Sequence, residues 1–338
     1  MASLFKTLIR QVPERSKEPV QAGVYQAYAL AIRALKIVGR DKVFDSPAPD
    51  APESERRVFG PKSVSGPHES IPPIVWIYWN TESRPFFVRA AMDQIRAASG
   101  NLDVREVSDA DARHLVPGLD QWRSDLLPAN RADLIRLELL YRYGGIWIDS
   151  TAVPGRPLAW VLEWSEMERL SFVSFFNRAH STFTEYPVVE NWFLASAPGD
   201  RFVREWLSLL EPLKTVPKST LYAQLLSDPL ARRISETIPD PFYRIPYLAA
   251  QIAYERTKDR SRLGLIAADD EAFHLFGRTA RNSWDVALNT LVRPAPNKPL
   301  IMMKFTRRDR LIIDAFKRFA AITPQSVVGR IVSRSFPS

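Results

Sequence analysis

Between residues 74 and 213, apolar runs of strand length alternate with stretches of helical periodicity. In IPPIVWIYWN, residues 74–79 are uncharged, β-branched and aromatic, the composition of a strand buried on both faces. Residues 85–99 present a helical pattern with Arg89, Asp93 and Arg96 on its charged face. LDVREVS predicts a second strand. SDADARHL predicts a helix with Ser108 as N-cap and Asp109 and Asp111 in its first turn. A helix over 131–143 runs into Gly144-Gly145 and a short apolar strand that ends on Asp149. LSFVSFF (170–176) predicts another strand, and ENWFLASAPG (190–199) leads into a helix over 200–213. This alternation predicts an α/β sheet with helices on its faces.

The ends of the chain have a different pattern. Residues 1–40 read as helical: Leu4, Phe5, Leu8, Ile9 and Val12 share one face, and VQAGVYQAYALAIRALKIVG continues to Gly39, a helix stop. Residues 41–73 carry seven prolines and no periodicity, which describes an irregular linker or an extended wrap around the domain. Residues 304–334 hold eight Lys or Arg against two Asp, with an apolar stripe at Leu311, Ile312, Phe316 and Phe319. The expected division is a helical segment over 1–40, a linker over 41–70, a main domain over 71–295 and a basic amphipathic segment over 296–338. The terminal segments suit docking to an anionic membrane surface; the basic tail equally suits packing on the domain with a solvated basic face.

Composition narrows the chemistry. The chain of 338 residues has no cysteine, which excludes disulfides and thiolate metal sites, and its four histidines disfavour a His-rich zinc site. A net charge of +8 favours anionic partners. No run approaches the roughly 20 apolar residues of a spanning helix, and MASLFKTLIRQVPERSK lacks a secretory pattern, so a cytoplasmic protein is expected, with peripheral attachment to the inner face of the membrane.

The chemistry concentrates in RADLIRLELLYRYGGIWIDST. In open α/β sheets ligands bind beyond the carboxyl ends of strands, and Asp149 is the first polar residue at such an end. Asp133 and Arg136, three apart on the preceding helix, share a face. The glycine turn folds strand against helix and can bring all three to one rim, where two carboxylates and a guanidinium hold sugar hydroxyls, a metal or a phosphate. The plainer alternative is a surface ion pair and a turn aspartate.

With its extension AVPGRPL, this stretch is similar to the signature of the DXD-type, sugar-binding-region glycosyltransferases, especially the capsular polysaccharide synthesis proteins. The large clostridial glucosylating toxins carry a related version with the same sixteen-residue step that separates Asp133 from Asp149. IPPIVWIYWN and NWFLASAPGDRFV extend the resemblance, which covers scattered blocks over roughly 71–290. It implies a GT-A fold: a Rossmann-like mixed sheet flanked by helices, here with helical N- and C-terminal appendages, and 71–295 as the catalytic domain. It also implies a retaining transferase that moves a sugar from a nucleotide-sugar donor to a glycan or lipid-linked acceptor in cell-surface glycan synthesis.

Carried over by position, Asp133, Arg136 and Asp149 form the catalytic and donor-gripping set, with Trp147, Ser150 and Asn191 on the donor side. Glu190 is a weaker acceptor-side candidate. Trp76 falls where the family places an aromatic that stacks on the base, the alternative being a core residue. Ser283 and Trp284, with Arg281, match a loop that covers the diphosphate, the alternative being a surface loop with a buried tryptophan. His274 reads mainly as a structural histidine. The family implies manganese or magnesium held by Asp149, with Thr151 standing where many relatives have a second aspartate. That departure removes a carboxylate ligand and leaves open an inactive nucleotide-sugar binder. A nucleic-acid-binding protein is the third reading; it requires exposed aromatics among the basic residues, whereas the aromatics here lie in apolar runs, so nucleic acid is not expected.

Overall fold

The computed structural model describes residues 14–38, 44–62, 69–181, 187–276 and 283–335. The expected helical face Leu4–Val12 and Arg281 lie outside those residues. Seven strands form one mixed sheet: β1 (Arg56–Phe59), β2 (Ile74–Tyr78), β3 (Asp103–Val107), β4 (Gly145–Ile148), β6 (Phe172–Phe176), β7 (Val189–Ser196) and β8 (Leu263–Ala267). Their order is β1-β8-β6-β7-β4-β2-β3. β5 (Ala152–Pro154) and β9 (Met302–Lys304) make a separate antiparallel pair.

The sheet is two-faced, and the alternation along each strand divides the core. Trp76, Trp147 and Leu194 point to a layer that includes Leu134 and Leu137 of helix Pro128–Tyr143, Trp206 of helix Arg201–Leu210 and Leu248 of helix Ile245–Thr257. Val75, Ile77, Ile146 and Ile148 point the other way, toward Val88 and Met92 of helix Phe86–Ser99 and Val161 of helix Ala159–Glu168. Strands buried on both faces need continuous apolar runs, which is what residues 74–78 and 145–148 supply.

The expected elements stand with small shifts. Helix 131–143 begins earlier, at Pro128, where the missing N–H of proline costs nothing. The helix expected over 200–213 is Arg201–Leu210, capped by Asp200, followed by a tighter turn. Ser108 caps its helix in a reciprocal capping box with Asp111.

At the Gly144-Gly145 turn the backbone takes φ of +62° and +100°. A Cβ on Gly145 would meet the Ile74 carbonyl oxygen at 2.7 Å, and one on Gly144 would meet Pro198 and Pro72 at 2.8 Å. Both glycines are therefore required for β4 to enter directly beside β2.

The proline-rich stretch wraps the domain. Its RRVF segment is edge strand β1, antiparallel to β8, and Ala48 N donates to the Pro294 carbonyl at 2.8 Å. The basic tail also packs inward. Ile312 and Phe316 are fully buried in a third cluster with Tyr25, Ala29 and Ile32 of helix Glu14–Ile37. Leu311 and Phe319 lie half-buried against the same cluster. The apolar stripe is thus a packing face of the body. Among the described residues no helix is long and apolar enough to cross a membrane.

Candidate active site

β4 lies where the sheet changes direction, parallel to β2 on one side and antiparallel to β7 on the other. Its carboxyl end opens into a cleft of about 580 Å³, lined by Asp133, Arg136, Trp147, Asp149, Ser150, Thr151 and Asn191 among others. Seven of the residues singled out in the sequence therefore meet in one place.

The centre is a buried charge network. Arg136 Nη1 lies 3.2 Å from Asp133 Oδ1, and Arg136 Nη2 lies 3.1 Å from Asp149 Oδ1. Arg136 also donates to the Asn191 carbonyl, and its guanidinium lies 5.1 Å from the centroid of the Trp147 ring. Trp147 Nε1 donates to Asp149 Oδ1 at 3.0 Å, and Asn191 Nδ2 donates to Asp133 Oδ1 at 2.9 Å. The backbone fixes these partners: Asp149 N donates to the Trp192 carbonyl, extending the β4–β7 ladder by one rung.

Two cradling carboxylates differ in their electrostatics. Burial pushes Asp149 up, but Lys304 and Arg136 outweigh it, and the carboxyl ends below its ordinary range. For Asp133 burial wins over Arg136, with Asp149 adding repulsion, and its pKa is raised. Beside them, burial also raises Glu190, which takes hydrogen bonds from Asn177 Nδ2 at 3.1 Å and Trp192 Nε1 at 2.9 Å. Tyr247 Oη stands 3.1 Å from Glu190 Oε2 and 3.2 Å from Asn191 Oδ1, which couples Glu190 to the cleft.

Several cleft residues carried no signal in the sequence. Lys218, Arg307, Arg310, Tyr243 and Tyr247 line it, and Lys304 stands behind its floor. Arg307 and Arg310 come from the first turn of helix Arg307–Arg318, brought there by the pairing of β9 with β5. The basic tail was visible as charge, but only the tertiary pairing directs it to Asp149. Residues past 295 thus contribute to the same site as those of the expected catalytic domain.

Two expectations are corrected. Trp76 has no exposed surface; it sits in the core with its indole N–H on the Gly144 carbonyl at 2.8 Å, because position 76 of β2 faces the helix layer. Tyr78 and Trp79, at the carboxyl end of the same strand, are the aromatics that reach the cleft. Ser283 and Trp284 are directed elsewhere. Ser283 accepts from Arg308, which also donates to Tyr25 Oη at 3.0 Å, and Trp284 packs edge-to-face on Tyr28 at 4.8 Å, so Trp284 directly and Ser283 through Arg308 face helix Glu14–Ile37. His274 lies outside the cleft lining, with Nε2 3.2 Å from the Pro49 carbonyl.

The donor set beside Asp149 does not fit a divalent cation. Lys304 Nζ lies 2.7 Å from Asp149 Oδ2 and 3.0 Å from Thr151 Oγ1, an ammonium between the two groups that the family pattern assigns to metal. The other carboxylate oxygen already accepts from Arg136 and Trp147. Among the described residues no group of three or more His, Cys, Asp or Glu stands together as a ligand set.

Residues 59–212 match the family model described as "Capsular polysaccharide synthesis protein". The resemblance carried by RADLIRLELLYRYGGIWIDST therefore extends from β1 to the end of helix Arg201–Leu210, and takes in Asp133, Arg136, Asp149 and Asn191. No curated protein matches the chain. Solved structures similar at a low level include two glycosyltransferases. One is the PaToxG glycosyltransferase, 10% identical with a TM-score of 0.31, covering 71% of this chain and 95% of that one. The other is the galactosyltransferase LgtC in complex with donor and acceptor sugar analogues, 8% identical with a TM-score of 0.35, covering 74% and 96%. Likenesses that low carry no functional weight.

Proposed function

We propose that this chain is a retaining glycosyltransferase that moves a sugar from a nucleotide-sugar donor to a glycan or lipid-linked acceptor in the synthesis of a surface polysaccharide. The observation that carries the reading is the charge arrangement of the cleft. Asp133 and Asp149 are locked to Arg136 at its centre, and Lys218, Arg307 and Arg310 surround them. Four cations against two carboxylates leave a surplus of positive charge, which suits a ligand with a diphosphate and hydroxyls. The matched family supports the same direction.

In this reading the diphosphate lies toward Arg307, Arg310 and Lys218, and Tyr78, Trp79 and Tyr243 offer aromatic surface to the base. Asp133, with a raised pKa, and Asn191 face the sugar hydroxyls. As the bond from the anomeric carbon to the phosphate oxygen breaks, the departing diphosphate gains charge, which the arginines and lysine stabilise. The acceptor oxygen bonds to that carbon on the same face, and its proton passes to the departing phosphate oxygen. Water exclusion falls to the aromatic walls.

Incubation of the purified protein with UDP-, GDP-, CMP-, ADP- and dTDP-sugars tests the reading by release of free sugar and nucleotide. Release from one donor family, lost in Asp149→Ala, is the expected result. No release and no binding across the whole panel would overturn it.

A further inference from the structure

The fit of Lys304 to Asp149 and Thr151 bears on how the donor is held, and the inference rests on the nucleotide-sugar reading above. We infer that Lys304 is a positioning residue that takes the place of a divalent cation beside Asp149. The donor diphosphate is then bound and neutralised by side chains alone, and binding needs no metal.

The geometry gives three reasons. First, the two oxygens that the Asp149-x-Thr151 spacing offers to a cation share one ammonium, at 2.7 and 3.0 Å. A divalent ion there would have to displace that ammonium or stand against its charge. Second, Asp149 Oδ1 is taken by Arg136 at 3.1 Å and Trp147 at 3.0 Å, so neither oxygen of the carboxylate is without a donor. Hard cations of this kind take six or more oxygens, and the two charged groups bonded to Asp149, Arg136 and Lys304, are cationic.

Third, the lysine is built into the backbone frame. Lys304 sits opposite Ala152 in the β5–β9 pair, its N–H donates to the Ala272 carbonyl at 3.1 Å, and Phe305 N donates to the Thr151 carbonyl at 3.1 Å. The strand that carries the ammonium is thus bonded to the residue whose hydroxyl it holds. Three and six residues on, Arg307 and Arg310 enter the cleft from the same chain segment. A single stretch, 304–310, supplies both the cation on Asp149 and the cations facing the diphosphate.

The test uses the full chain stripped with EDTA and titrated calorimetrically with UDP, GDP, CDP, ADP and dTDP, with and without millimolar manganese. Binding of manganese to the free protein is followed in parallel by electron paramagnetic resonance. The expected result is that one diphosphate binds the stripped protein, that manganese changes its Kd by less than about twofold, and that no manganese is held. Lys304→Met weakens that binding about tenfold, the scale of a charge-assisted contact. Lys304→Ser, which opens the space between Asp149 and Thr151, recovers binding when manganese is added, a response that a purely structural lysine would not produce.

Binding of a diphosphate to the wild type only with manganese, with a manganese signal lost in Asp149→Asn, would overturn the inference and leave the nucleotide-sugar reading standing. Absence of diphosphate binding in both conditions would overturn both. Unchanged binding in Lys304→Met and Lys304→Ser would remove the assigned role of Lys304. If either variant fails to fold, the wild-type titrations decide the question alone.

Discussion

Arg136 Nη2 lies 3.1 Å from Asp149 Oδ1, and its Nη1 lies 3.2 Å from Asp133 Oδ1, so one buried guanidinium clamps the helix before the glycine turn to the strand after it. Asp133 depends on it for charge balance, and Asp149 shares it with Lys304. Arg136→Met leaves Asp133 without its cation and Asp149 with Lys304 alone, and breaking a buried pair by removing one partner typically costs about 3–5 kcal/mol. Arg136→Lys keeps the charge but cannot bridge two carboxylates with a planar fork. The expected order of stability in urea denaturation is wild type, then Lys, then Met. Donor turnover should fall in both variants, by roughly 10²-fold or more in Met.

A second expectation concerns the helix–strand turn alone. Gly145 has φ of +100°, and its Cβ position lies 2.7 Å from the Ile74 carbonyl oxygen. Gly145→Ala must therefore separate β4 from β2 or strain the turn, at a cost of about 2–3 kcal/mol. Thermal unfolding measures the loss. Because Asp149 follows four residues later, donor binding should weaken at temperatures where the variant is still folded.

The core strands and the helix before Gly144 were legible because each buries a continuous or periodic apolar face, and such faces need no partner to be recognised. Asp133, Arg136 and Asp149 were legible partly from their spacing around the turn, which also suited a surface ion pair, and partly from the family resemblance of the stretch that holds them. Strand β1 was not: RRVF is short, charged and half-exposed, and only β8 across the sheet makes it a strand. Position 76 could not be told from position 78 in IVWIY, since both point to the same layer and only depth along the strand separates core from cleft. Lys304 was silent for a deeper reason. Its meeting with Asp149 spans 155 residues and depends on the β5–β9 register, which no local pattern encodes.

A third expectation separates the cationic rim from the central clamp. Arg307 and Arg310 lie in the first turn of their helix, a position that the helix dipole disfavours for cations. Arg310 also leaves a buried Nε–H without a partner. The helix dipole therefore gives neither arginine a stabilising role at that position. Arg307→Ala should leave thermal stability within about 0.5 kcal/mol of wild type, and raise KM for the donor about tenfold by removing a charge-assisted contact. A fall in stability with unchanged KM would assign the residue to packing.

The last expectation is a pH dependence that lies away from the cleft. Asp200 caps helix Arg201–Leu210, accepting from Val203 N at 2.9 Å, and a capping carboxylate ordinarily has a lowered pKa. Here burial outweighs hydrogen bonds from Ser171, Val203 and Phe202, and the pKa is pushed up to about 6. A folded-state pKa above the unfolded value of 3.8 means that the group's contribution is fully present below the unfolded value. It is lost as pH rises through the folded one, and the window from about 4 to 6 corresponds to roughly 3 kcal/mol. Asn caps a helix about as well as Asp and has no proton to lose. Asp200→Asn should therefore be less sensitive to this window, and should gain stability relative to wild type between pH 4.5 and 7.5 by about 2 kcal/mol. Urea midpoints of both proteins at the two pH values measure the difference, in which the other carboxylates cancel. Parallel curves would mean that Asp200 titrates in the folded protein as it does in the unfolded chain.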